Sequence, residues 1–273
     1  GCVLATPAAV LVAVPGPPWE RAEVWERAVA TAPLAALLAR GAARPDRTLR
    51  ITGVPESRFA DALDRAPAPV RASVEVGVCA RDGDLEVTMR GPSGEMDALQ
   101  EVLTRRIGAG IYADDGRTLE EVVAAALVAR GVRLALAESC TGGMIAAGLT
   151  DLAGASRWFA GGVVAYEDAV KRDVLGVPDE VLTRHGAVSE ATANAMAVGA
   201  RTVLRAEGAV SVTGIAGPGG GDDRKPVGLV YIGCAGPAGH VVVERHRFGG
   251  DRGRVRARSR VAALHLLRRT LAG

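Results

Sequence analysis

The chain has 273 residues, enough for one large domain or two to three small ones. Apolar residues make up 48% and charged residues 23%, which excludes a disordered tail protein. Lys+Arg 33 against Asp+Glu 31 leaves +2, no strong pull toward nucleic acid or an anionic membrane, and 3% aromatics are too few for a base-stacking surface.

The first 46 residues open with the apolar GCVLATPAAVLVAV, which lacks the basic n-region of a signal peptide and is expected to form a buried strand. Its start at Gly1 rather than Met suggests further sequence upstream. The turn Pro15-Gly16-Pro17-Pro18 follows, then a helix over 19–40 and a linker over 41–46. Residues 47–115 form a small α+β module: a strand in RTLRITGV, a helix in ESRFADALDR, two strands turning at Asp82-Gly83, and a helix from Glu95 to Ile107. From 116 to 273 strands and helices alternate. Thr118 and Glu121 make a capping box before the first helix. Strands follow in RLALA, GGVVAY, AVSVT, VGLVYIGCA and HVVVERHRF, with helices after Cys140, over 189–206 and from Asp251. Strands apolar enough to be buried on both faces predict a three-layer α/β domain.

No apolar run approaches the roughly 20 residues of a membrane helix. Cys2, Cys79, Cys140 and Cys234 show neither a CxxC pair nor histidines at zinc spacing, so no metal is expected. Free thiols fit a reducing, cytoplasmic setting. His185, His240, His246 and His265 are dispersed and suggest no catalytic triad. Only two of the basic residues are lysine, Lys171 and Lys225. Where arginine replaces lysine wherever either cation serves, the survivors mark places where a group able to give up its proton is needed.

Four stretches can carry chemistry. The loop Glu138-Ser139-Cys140-Thr141-Gly142-Gly143 leaves a strand and opens a helix, so its N–H groups and dipole favour an anion. Ser139 and Thr141 add hydroxyls, Gly142 and Gly143 admit a ligand to the backbone, and Cys140 is a nucleophile candidate or a small buried residue. The loop Thr213-Gly214-Ile215-Ala216-Gly217-Pro218-Gly219-Gly220-Gly221 matches neither a Walker A nor a G-x-G-x-x-G pattern, which argues against ATP or dinucleotide binding by those devices. Ser156, Tyr166 and Lys171 lie near strand ends, and a neutral lysine can activate a serine, although a turn serine and a surface lysine are the plainer reading. Arg252, Arg256 and Arg260, spaced i, i+4, i+8, form either a solvated stripe or a phosphate clamp.

Taken together, AESCTGG, GGVVAY with Lys171 five residues beyond Tyr166, HGAVSE, VTGIAGPGGG, KPVG and GDRGRVR resemble the C-terminal domain of the CinA (competence/damage-inducible protein) family over about 118–273. Residues 1–46 and 47–115 resemble the end of that family's molybdopterin-binding-like domain and its small middle domain. With most of the former absent, nucleotide pyrophosphatase activity is not expected. The resemblance implies a nicotinamide-nucleotide amidase, which hydrolyses the carboxamide of nicotinamide mononucleotide to nicotinate mononucleotide and ammonia without metal or cofactor. It assigns Ser156 as nucleophile, Lys171 as base, Tyr166 as a supporting hydrogen bonder, and Thr213 as a holder of substrate or oxyanion. Ser139 is the second choice for nucleophile. Thr141, Gly142, Gly143 and Gly214 would line the substrate site, and Arg256 or the glycine-rich loops would suit the phosphate. One departure stands out: Glu167-Asp168-Ala169-Val170 replaces the Ser-Asn-Glu-Ala common in the family between the tyrosine and the lysine.

Two other classes compete. A nucleic-acid-binding competence or repair factor would use 47–115, where 9 arginines against 12 acidic residues give −3, the wrong sign for a phosphate footprint. Gly91-Pro92-Ser93-Gly94 imitates a GxxG clamp but carries no cation. The other class is a non-catalytic scaffold. The expected partner is therefore the small-molecule substrate, without nucleic acid or membrane, and long apolar helices such as 118–130 favour a homodimer.

Overall fold

The computed structural model describes residues 1–6, 9–40, 46–237 and 239–272. It divides into two compact units, Gly1–Pro45 and Asp46–Gly273. The linker expected over 41–46 lies outside the described residues except for Asp46.

In the first unit, β1 (Cys2–Ala5) pairs antiparallel with β2 (Val10–Ala13). The single buried strand expected here is therefore a hairpin, with Leu4 and Leu11 exposed. Val3, Val10 and Val12, on the face toward the helices of this unit, are only half-buried, and the opposite face is open. The helix expected over 19–40 is also two, α1 (Pro18–Val29) and α2 (Ala32–Arg40). Pro33 explains the break, since it has no N–H to offer residue 29 and its ring would strike that carbonyl. Thr31 closes the end of α1 by donating its hydroxyl to Ala28 O at 2.7 Å.

The second unit begins with a four-stranded antiparallel sheet. β3 (Asp46–Thr52), β4 (Glu75–Arg81), β5 (Asp84–Arg90) and β6 (Ile111–Ala113) lie in the order β4-β5-β3-β6. Helices α3 (Glu56–Asp64), α4 (Ala68–Ser73) and α5 (Ser93–Ile107) cover it. Asp82 and Gly83 both have positive φ, as a two-residue hairpin between β4 and β5 requires. The short α4 and β6 lie below the length at which periodicity is readable.

The remaining strands, β7 (Leu134–Glu138), β8 (Phe159–Val164), β9 (Gly208–Gly214), β10 (Leu229–Ala235) and β11 (Val241–Arg247), form a five-stranded sheet ordered β11-β10-β9-β7-β8. β7 is parallel to both β8 and β9, and the two later strands are antiparallel. Leu134 and Leu136 enter one apolar cluster with α6 (Leu119–Arg130), α7 (Met144–Thr150) and α11 (Arg252–Ala272). Ala135 and Ala137 enter the other, with α10 (Glu190–Val203). The three layers follow from that alternation. Both halves of the Thr118–Glu121 capping box are formed, a device worth about 1 kcal/mol. Two short helices between β8 and α10, α8 (Asp168–Asp173) and α9 (Asp179–His185), were not expected.

Residues 47–115 and 116–273, expected as separate domains, lie in one compact unit and have apolar clusters of their own. Tyr112 belongs to the apolar cluster of the larger sheet, and its hydroxyl donates to Asp84 Oδ2 at 3.0 Å. Burial raises the Asp84 carboxyl from 3.8 to about 6; nearby Glu120 and Glu86 add to this, while Tyr112 and Arg50 oppose it. A folded value above the unfolded one means that Asp84 stabilises the fold when protonated. Its contribution is complete below about pH 4 and lost as the pH rises through about 6. Asp84→Asn should therefore raise the melting temperature at pH 8, with the advantage vanishing at pH 4. An equal shift at both values would refute this account.

Candidate active site

The chain passes from β7 through α7 to β8 on one side, and from β8 through α10 to β9 on the other. The two helices cover opposite faces of the sheet. In such open sheets the crevice for a ligand lies at the carboxyl ends of the strands, where the connections diverge. A cleft of about 270 Å³ occupies that place. Ser139 and Cys140 line it after β7, Tyr166, Asp168 and Lys171 after β8, and Thr213 to Gly217 at the end of β9. Arg252, the first residue of α11, closes one side. A larger hollow of about 660 Å³ lies beside Arg58 and Arg105, but no serine, cysteine, threonine or lysine lines it.

Lys171 is the most deeply placed charged group of the cleft, only 1% exposed. Its Nζ donates to Tyr166 O at 3.2 Å and to Asp168 Oδ1 at 3.1 Å. Ser139 is 8% exposed, and among the described residues its hydroxyl has no hydrogen-bond partner. Thr213 is buried and spends its hydroxyl proton on Ala187 O at 2.7 Å, so its oxygen can accept from a ligand but not readily donate. Tyr166 is exposed, and its hydroxyl accepts from Arg252 Nη2 at 2.9 Å. The other terminal nitrogen of Arg252 reaches Gly217 O at 2.9 Å, tying the loop after β9 to the rim.

The start of α7 does not await an anion, as the sequence led us to expect. Glu138, 1% exposed, supplies one from within the chain. Its carboxylate accepts from the N–H groups of Gly143, Ile145 and Ala146 at 3.0, 3.1 and 2.8 Å. Gly142 and Gly143 have positive φ, so they serve the turn into the helix. Neither lines the cleft, nor does Thr141, which is fully buried with its hydroxyl unpartnered. Arg256 also stays outside the cleft wall; its Nε and Nη2 reach the carbonyls of Cys140 and Thr141 at 3.1 and 2.8 Å. Gly214, by contrast, does line the cleft.

Ser156 is the residue that the structure moves. It sits on an exposed single turn, Ala155–Arg157, immediately before β8, whereas Tyr166 and Lys171 follow that strand. Six residues of extended chain separate the two ends by about 20 Å. The assignment of Ser156 as nucleophile to Lys171 is therefore corrected, and Ser139 is the serine that shares a cleft with that lysine. Lys225 has a structural place, donating to His185 O at 2.6 Å. Among the described residues no three His, Cys, Asp or Glu side chains converge as a metal-binding group.

Fold and cleft define a three-layer α/β protein with a polar cleft at the strand ends beside β7. The chain belongs to the CinA C-terminal domain family, whose model matches residues 116–271. CinA-like proteins of Mycobacterium tuberculosis and Mycolicibacterium vanbaalenii are 41% and 42% identical over 100% and 96% of this chain. The chain spans 64% and 63% of their lengths, just under two thirds. Among solved structures, competence/damage-inducible protein CihA from Agrobacterium tumefaciens is similar at 44% identity and a TM-score of 0.55, covering 57% of this chain and 94% of that one. A CinA superfamily protein from Klebsiella pneumoniae follows at 41% and 0.54, covering 57% and 99%.

Burial pushes the Cys140 thiol up to about 11, which takes it out of contention as a nucleophile near neutral pH. Cys234 is raised likewise, whereas Cys2 and Cys79 are exposed. Iodoacetamide at pH 7.5 should alkylate Cys2 and Cys79 and spare the other two, as peptide mass mapping will show. Rapid modification of Cys140 in the folded protein would contradict this environment.

Proposed function

We propose that the chain hydrolyses the carboxamide of nicotinamide mononucleotide to nicotinate mononucleotide and ammonia, with Ser139 as nucleophile and Lys171 as base. The observation that carries this reading is the pairing, in one cleft, of a serine hydroxyl without a partner and a buried lysine. A neutral amine has two N–H donors and one lone pair. Tyr166 O and Asp168 Oδ1 would take the two donors of such an amine, hold it in the cleft and leave its lone pair for the serine proton. Ser139 Oγ then attacks the amide carbon while its proton passes to Lys171. Collapse of the tetrahedral intermediate breaks the C–N bond, and the proton leaves with ammonia. Water cleaves the resulting ester, releases the carboxylate product and returns a proton to Ser139.

Thr213 Oγ1 can accept from the carboxamide N–H and orient it. Tyr166 and Arg252, bonded to each other at the rim, would bound the rest of the nucleotide. The partner in this reading is the small-molecule substrate, and the setting is the cytoplasm, in keeping with four free cysteines. No helix among the described residues is long and apolar enough to cross a membrane.

Ammonia release by the purified chain tests the assignment. Ser139→Ala and Lys171→Arg should each lower kcat at least about a thousandfold, while Ser156→Ala stays within about twofold of the parent. Activity that survives Ser139→Ala and vanishes in Ser156→Ala would overturn it.

A further inference from the structure

The turn over 139–143 is held from two directions. On the strand side, Glu138 draws three N–H groups of the following turn onto one buried carboxylate. On the helix side, the guanidinium of Arg256 takes the carbonyls of Cys140 and Thr141. Between them Gly142 N–H donates to Ser139 O at 3.1 Å. In a planar trans peptide the C=O and N–H point opposite ways, so each pinned carbonyl also aims the N–H of the next residue. Ser139 O thereby fixes the N–H of Cys140, and Cys140 O fixes that of Thr141. Among the described residues neither N–H has an acceptor within the chain.

Cys140 lines the cleft next to Ser139, so its N–H stands where acyl transfer needs a donor for a developing negative oxygen, while Thr141 is fully buried behind it. A phosphate, in contrast, is poorly served here. Arg256 is already engaged at two nitrogens and does not line the cleft. At the start of α7, a phosphate would meet the Glu138 carboxylate.

Resting on the amidase reading above, we infer that Glu138 and Arg256 are positioning residues. They hold the turn so that the N–H of Cys140 receives the oxyanion formed on attack by Ser139, and neither binds the substrate phosphate. Arg256 was expected as a phosphate ligand, and the two roles separate experimentally.

The test compares the parent with Arg256→Lys and Glu138→Gln. Ammonia release is measured from nicotinamide mononucleotide and from nicotinamide riboside, which lacks the phosphate. Amide hydrogen exchange is followed over 139–146. Displacing that donor by about an ångström should lower kcat about a hundredfold. KM for the mononucleotide should stay within about threefold, the preference for mononucleotide over riboside should be unchanged, and exchange in the turn should rise. A raised KM with kcat intact, or a lost preference for the phosphorylated substrate, would make Arg256 a phosphate ligand and overturn the inference. Unchanged exchange would overturn it as well. If Glu138→Gln does not fold, Arg256→Lys carries the comparison. A parent that releases no ammonia defeats the amidase reading instead, and the exchange measurement still decides whether the brace exists.

Discussion

Every residue of β7 is buried, and four of its five side chains are apolar, while the fifth is a carboxylate. The first four demand cover on both faces, which α6, α7 and α11 supply on one side and α10 on the other. The fifth cannot be buried bare, since an unpaired carboxylate in an apolar interior costs several kcal/mol. Glu138 answers that cost by accepting three N–H groups that a helix start would otherwise leave open. The start of α7 is thereby held to the end of β7, and Ser139 has little freedom left. Its hydroxyl reaches the crevice between β7 and β9 because strand, carboxylate and helix leave it nowhere else to go.

Much of the larger sheet was readable from periodicity and punctuation. Short apolar runs bounded by glycine or charge marked β7 to β11, and Thr118 with Glu121 marked the start of α6 to the residue. Local pattern fails where tertiary cover decides. The opening apolar run looked like a buried strand because burial was inferred from composition, yet the helices of the first unit only half-bury one face of the hairpin and leave Leu4 and Leu11 exposed. The break between α1 and α2 was present in the sequence as Pro33 and was outweighed by the helical spacing around it. Helices α8 and α9 are too short for periodicity to show, although α8 carries Lys171 into the cleft.

The candidate site divides in the same way. Ser139 and Tyr166 follow β7 and β8, Lys171 lies on the helix after β8 and Thr213 sits at the end of β9, and strand direction alone predicts that they converge. Ser156 stood close to Tyr166 and Lys171 in the sequence, but proximity along an extended strand is separation in space. A serine before a strand and a lysine after it stand at opposite ends of that strand. Glu138 was visible as the one acid in a buried strand, a signal that points inward to the helix start rather than outward to a ligand. Arg256 differs from Arg252 only by one turn of α11, and no sequence spacing tells which of the two faces the cleft and which the loop beneath it.

The scarcity of lysine has a practical side. Of the two side-chain amines, Lys171 is enclosed and Lys225 is half-buried on the loop after β9, bonded to His185 O. Acylating dyes and amine-directed crosslinkers thus find a single accessible lysine, placed on a segment that borders the cleft. A fluorophore coupled there would sit within a few residues of the loop that Arg252 fastens. The natural poverty in one amino acid leaves the α-amino group at Gly1 as the one other amine to be distinguished from this side chain.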